Sequence, residues 1–312
     1  MKDRNDDRPA AEGPCWPEAR SDASETSLAD ILTRREPLRD APDRAPLVVD
    51  SPHSGRRYPD DFDHRLPHAT MRRAEDAWVD ELFGDAPRFG VSFLAAEFPR
   101  AYVDPNRHEH DIDAGLIDEP LPDHARPTYR SEWGLGVVRR VLGPYESIYS
   151  RTLTLDEIHR RVETYHRPYH AALGALLDEA HRTFGRVYHL NCHSMRSMSR
   201  GQARPDFVLS DLDGSSCASA FTAHVRDCLQ AMGHSVALND PFKGGEIVHR
   251  YGRPAEQRHS LQIEIRRGLY MDEKRVEKNA DFAALRRSIN ILLESIAGFA
   301  RETTIATGNR LP

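Results

Sequence analysis

Cysteine is scarce: Cys15, Cys192, Cys217 and Cys228 are the only four in 312 residues, with no C-x-x-C pair and no regular spacing. That excludes a disulfide framework or a thiolate metal knot and suits a reducing compartment. No run of about 18 or more apolar residues occurs, which excludes a membrane span, and the opening MKDRNDDRPAAEGP lacks the apolar core of a secretory leader. A cytoplasmic protein is expected. Net basic charge is missing too, since 43 Lys and Arg face 49 Asp and Glu for a formal charge of -6. With no basic field to draw nucleic acid or an anionic membrane, the expected partner is a small molecule.

What is present is core material, 39% hydrophobic residues against 29% charged. Residues 1 to 44 are dominated by Asp, Arg, Glu, Ala and Pro, and are expected to form a loose arm with at most a short helix. From 45 to about 305 a single domain is expected, without internal repeats. There the apolar runs LVV, VSFLAAEF, AYV, VYHL, SVAL and LQIEI alternate with amphipathic stretches at 71 to 88, 155 to 183, 216 to 232 and 280 to 301. Strands separated by helices predict an α/β layered sheet. The segment from 105 to 135, rich in Pro, Asp, His and Gly, is too long for an ordinary connection and reads as a functional loop.

Ligands of open α/β sheets sit beyond the carboxyl ends of strands, so polar residues that follow apolar runs carry the candidate chemistry. His53 follows LVV and His193 follows VYHLNC, and each is followed by Ser. Two neutral imidazoles and a carboxylate make an open metal site. Asp76 and Asp80, four apart in EDAWVDELF, could each supply the carboxylate. In SLQIEIRR, Glu264 alternates with Ile263 and Ile265, which puts an acid on the polar face of a strand as a general base. Asn106 with Arg107 suits a carboxylate ligand. Asn239 and Asp240 follow SVAL. His166 and His170, four apart around Pro168, form a rival metal pair, or a structural or substrate-side cluster. Gly244 and Gly245 in NDPFKGGEIVHRYGRP suit a loop close to a ligand, and no Lys-Ser or Lys-Thr follows them to make a phosphate loop.

The stretches DSPHSGRRYP, EDAWVDELF, AYVDPNRH, HRPYHAAL, HLNCHSM, NDPFKGGEIVHRYGRP and LQIEIRRGLYMDE, in this order, resemble the N-formylglutamate amidohydrolase (deformylase) family, which is distantly similar to zinc carboxypeptidases and aspartoacylases. The resemblance implies a three-layer α/β/α domain with a mixed central sheet, zinc-carboxypeptidase-like (phosphorylase/hydrolase-like), and one zinc ion per chain. His53, His193 and Asp76 then look like the metal ligands, with Asp80 in reserve, and Glu264 like the general acid/base. Asn106 and Arg107 look like the clamp for an α-carboxylate, with His170, Gly244 and Gly245 on the substrate side. Cobalt, iron or manganese would suit the same ligands. The implied reaction is hydrolysis of the formyl amide of N-formyl-L-glutamate by metal-activated water, as in histidine breakdown. Other N-acyl amino acids or a non-catalytic metabolite-binding role are the alternatives. Three positions depart from the family pattern: Asn191 where Asp is usual, Pro105 where Leu is usual, and Arg196 where a small residue or Pro is usual.

Overall fold

The runs LVV, VYHL and LQIEI become three adjacent parallel strands at the centre of one seven-stranded sheet. This computed structural model describes residues 27–143, 146–199 and 201–308. In chain order the sheet strands are β1 (Leu32–Arg35), β2 (Leu47–Ser51), β3 (Ser92–Ala96), β4 (Val187–Met195), β5 (Phe207–Ser210), β6 (Val236–Leu238) and β7 (Arg258–Arg266). Their spatial order is β1-β3-β2-β4-β7-β5-β6; β1 runs antiparallel to β3, β5 antiparallel to β7, and the remaining pairs are parallel, so the sheet is mixed.

Alternation along the strands divides the core. Val49, Leu190, Cys192, Ile263 and Ile265 face one side, where they pack with helices α3 (Ser219–Ala231) and α5 (Phe282–Gly308). On the other side lie α1 (Leu155–Arg161), α2 (Arg167–Phe184) and α4 (Glu246–Tyr251), whose Ile158, Leu173 and Ile247 join Val48, Leu94 and Val187. The result is the expected α/β/α layering. Each large aliphatic side chain buried in this way contributes roughly 1.5 to 3 kcal/mol.

α1 starts on a reciprocal cap, in which the Thr154 hydroxyl accepts from the Glu157 amide at 3.2 Å and the Glu157 carboxylate accepts from the Thr154 amide at 2.8 Å. The expected helix from 155 to 183 is found with one adjustment: Val162–His166 forms a π-helical turn, and Pro168 follows it as the second residue of α2.

Four expectations need correction. The arm ends earlier than residue 44: Leu32–Arg35 pairs with β3 as an edge strand, and Ile31 is buried in the core, although residues 1–26 lie outside the described residues. The run AYV is a buried turn, because Tyr102 is held by its hydroxyl on Asp61 at 2.8 Å and by the Arg161 guanidinium 4.1 Å from its ring centre. The stretch from 71 to 88 is no single helix; it is broken between the short helices His68–Met71 and Val79–Leu82, with Trp78 at φ +68. Finally, β5 was invisible among the apolar runs, being four residues long and following Pro205. Among the described residues no helix is long and apolar enough to cross a membrane.

Candidate metal centre and its cavity

β2 delivers His53 into a turn at the carboxyl edge of the sheet. Gly55 makes the turn possible: a Cβ there would lie 2.2 Å from the Phe98 carbonyl oxygen, so only glycine lets the two backbones approach. The break in the helical stretch has the complementary purpose. It leaves Asp76 in an irregular turn whose amide donates to the His53 carbonyl at 2.9 Å, tying the two segments together. β4 brings His193 on the polar face it shares with His189 and Asn191, and β7 places Glu264 directly opposite His193 in register.

His53, Asp76 and His193 are all buried, and their ligand atoms lie within 4.8 Å of one another. His53 Nε2 lies 2.6 Å from Asp104 Oδ1, and His193 Nε2 lies 2.8 Å from Asn191 Oδ1. The Asn191 amide is oriented because its Nδ2 donates to Asp50 at 2.7 Å. Both imidazoles therefore carry their proton on Nε2, which leaves each Nδ1 with a bare lone pair. Asn106 Nδ2, 3.2 Å from His193 Nε2, does not reverse this assignment, since its contact is the longer one. The two Nδ1 atoms lie 3.3 and 3.0 Å from the same oxygen, Asp76 Oδ2. Three acceptors turned toward one another repel unless a cation lies among them, so the donor set fits a divalent metal ion.

Burial would push the Asp76 carboxyl up, but the charge of Arg100, 3.7 Å from Oδ2, helps hold it well below the usual range. Its other oxygen accepts from Arg267 at 3.0 Å. Asp104 is likewise held well below the usual range: burial opposes this, while Arg100 and His53 outweigh it. Burial has the reverse outcome at Glu264, whose carboxyl is pushed up to about 7; His193 pulls it down and Asp76 raises it further. Gln262 donates to Glu264 Oε1 at 3.1 Å. A carboxyl with a pKa near neutrality beside a metal-type cluster can take up and return a proton.

The cluster opens into a cavity of about 730 Å³. Its carboxylates are Asp76 and Glu264, whereas its arginines come from many sides and include Arg100, Arg107, Arg130, Arg139, Arg196 and Arg204. Such a wall selects anions. Asn106 and Arg107 both line it. Asn106 is tied by its Oδ1, which accepts from the Ile247 amide at 2.9 Å, and by its backbone amide, which donates to Asp104 Oδ1 at 2.9 Å. Arg107 is fixed by Leu135 and Asn106 carbonyls at 3.0 and 2.7 Å. Gly244 and Gly245 also line the cavity, next to Asn106: a Cβ on Gly245 would sit 2.5 Å from the Asn106 amide.

Other sequence candidates fall elsewhere. Asp80 belongs to the first turn of the Val79–Leu82 helix, and the described cluster contains Asp76 in its place. His166 and His170 donate to the carbonyls of Arg107 and Pro105, each at 2.9 Å, so they buttress the loop that carries Asp104 and Arg107. Neither lines the main cavity; both border a separate one of about 260 Å³. His170, expected on the substrate side, is thus behind the wall. Asn239 closes a loop by accepting from the Asp211 amide at 3.0 Å. Asp104 was read only as part of a stretch, and Arg100, Arg139, Arg204 and Arg267 were missed, because nothing local marks an arginine that reaches a site from a distant segment. Gln262 could have been found, lying two residues before Glu264 on the same strand face.

Residues 45–271 match the family model described as N-formylglutamate amidohydrolase. The N-formylglutamate deformylase of Pseudomonas aeruginosa is 33% identical over 273 residues, 83% of this chain and 95% of that protein. That of Pseudomonas putida is 31% identical over 238 residues, 74% of this chain and 83% of the relative. The crystal structure of N-formylglutamate amidohydrolase from Ralstonia eutropha JMP134 superposes with a TM-score of 0.84 at 41% identity, covering 88% of this chain and 99% of that one.

Proposed function

The chain belongs to the N-formylglutamate amidohydrolase family, and from that premise we propose that it hydrolyses N-formyl-L-glutamate to formate and L-glutamate, a step suited to histidine breakdown. The observation that carries this reading is the convergence of two Nδ1 lone pairs and a carboxylate beside Glu264, at the floor of a cavity walled by arginines.

His53, Asp76 and His193 would hold the ion, which the family resemblance implies is zinc. When bound it would lower the pKa of a water toward about 7 and polarise the formyl oxygen. The remaining work belongs to the chain. Glu264, on a strand hydrogen-bonded to the one that carries His193, accepts the proton of the attacking water and returns it to the amide nitrogen, so that a neutral amine leaves. Arg107, with Nε and Nη1 already committed to carbonyls, keeps Nη2 for the substrate's α-carboxylate, and its position is set before binding. Asp104 and Asn191 hold the histidine tautomers. The family's usual carboxylate at position 191 is replaced by an amide backed by Asp50, which serves the same proton assignment at one remove.

Formate release from N-formyl-L-glutamate, measured with metal content on the same sample, tests the proposal. Release that stops on chelation and returns with zinc supports it. One bound metal per chain without release would move the substrate to another N-acyl amino acid, and absence of metal would remove the hydrolytic reading.

A further inference from the structure

Resting on the reading above, which leaves the substrate's second carboxylate without a partner, the cavity contains a cation that the catalytic cluster does not use. Arg204 lines the same cavity as His53, His193 and Glu264. Its Nε and Nη1 are buried, yet among the described residues neither has a hydrogen-bond partner. Buried guanidinium N–H groups left without acceptors are costly, so a ligand that supplied two oxygens would be strongly favoured.

The side chain is also held in place. Pro205 restricts the Arg204 backbone to extended conformations, and the Arg204 amide donates to the Ser197 carbonyl at 2.9 Å, closing the base of the hairpin formed by Met198–Ser199 and Gln202–Ala203. The guanidinium carbon lies 4.9 Å from the centre of the Phe242 ring. Phe242 is itself anchored, its carbonyl accepting from the Ser210 hydroxyl at 2.7 Å. A guanidinium stacked on an aromatic ring keeps its N–H edge available for a carboxylate.

Several other cations nearby are less suited. Lys243 is paired with Asp213 at 2.7 Å, Arg266 is paired with Asp206, and Arg250 borders the separate cavity. Arg196 is exposed, and Arg139 is shared with Asp104 at 3.3 Å. Arg107 and Arg204 reach the cavity from different wall segments, the loop after Asp104 and the hairpin after β4.

We infer that Arg204, stacked on Phe242, receives the side-chain carboxylate of the substrate and sets a preference for dicarboxylic N-formyl amino acids over their neutral isosteres. Loss of one charge-assisted, forked contact corresponds to about a ten- to hundredfold effect.

The test compares kcat/KM for N-formyl-L-glutamate with that for N-formyl-L-glutamine in the metal-loaded wild type, Arg204→Gln and Phe242→Leu, and measures glutarate affinity of each by calorimetry. Arg204→Gln is expected to reduce the glutamate-to-glutamine ratio about ten- to hundredfold and to weaken glutarate by a similar factor. Phe242→Leu, which removes the ring but no charge, should lower both by less, and it keeps the question answerable if the arginine variant folds poorly. Formate release with an unaltered ratio and unaltered glutarate affinity overturns the subsite while leaving the reaction in place. Glutarate binding that depends on Arg204, with no formate from either compound, retains the subsite and overturns the reaction. No glutarate binding to the wild type also overturns the subsite.

Discussion

The two faces of β4 and β7 share backbone, register and burial, yet they do opposite work. On the face toward α3 and α5, Leu190, Cys192, Ile263 and Ile265 are fully buried aliphatic or thiol groups that only exclude water. On the other face, Asn191, His193 and Gln262 are buried polar groups and Glu264 is half-buried, and each bonds to a polar neighbour or lines the cavity. The difference teaches that the apolar face sets the geometry of the polar one: a rigid, interdigitated layer fixes the strands, and the strands fix the distance between His193 and Glu264.

That division can be broken from either side. The largest effect is expected from the polar face: Glu264→Gln should lower kcat by about 10² to 10⁴ with bound metal and melting temperature retained. A formate assay with metal analysis checks it, and substantial turnover would remove Glu264 from the proton transfer. Next, Leu190→Ala on the apolar face should cost about 2 to 5 kcal/mol of stability while leaving kcat near wild type at temperatures where the protein is folded. Denaturant titration paired with kinetics reads both; a lost kcat in a still-folded variant would blur the contrast between faces. Arg107→Ala, at the rim of the polar side, should raise KM by the equivalent of about 1.5 to 3 kcal/mol, and an unchanged KM rules out the clamp.

The smallest effect at neutral pH comes from His166. Burial pushes its imidazole down to about 4, against the pull of its hydrogen bond to the Arg107 carbonyl. Because the folded value lies below the ordinary one of about 6.5, the unfolded chain binds more protons between them. The stabilisation is therefore complete above about 6.5 and is lost as pH falls toward about 4. Melting temperatures recorded from pH 7.5 to 4.5 should decline less steeply in His166→Gln; identical slopes would show that this histidine does not contribute.

Legibility in the sequence followed the range of the interaction. His53, His193 and Glu264 were readable because a strand and its end form a local pattern, and the alternation in LQIEI announced which side Glu264 would take. Asp76 could not be separated from Asp80 by spacing, since helical periodicity continues through a segment that the chain breaks at Trp78 to bring Asp76 against His53. β1, with the sequence LTRR, looks like part of a polar tail because an edge strand needs little apolar surface. His166 and His170 had the spacing of a metal pair, but spacing carries no information about the carbonyls of Arg107 and Pro105 waiting across the fold. The arginines around the cavity were the least readable of all, since they arrive from segments far apart in the chain.

The segments that wall the cavity differ in kind from those that form its floor. Glu264 and His193 belong to hydrogen-bonded central strands, whereas Arg107, Arg204 and Gly245 belong to three connecting segments outside the sheet. On the proposed reaction, diversification confined to those connections would change which amide is admitted and leave the proposed hydrolytic apparatus in place, so the fold offers laboratory evolution a ready separation between chemistry to be kept and selectivity to be exchanged.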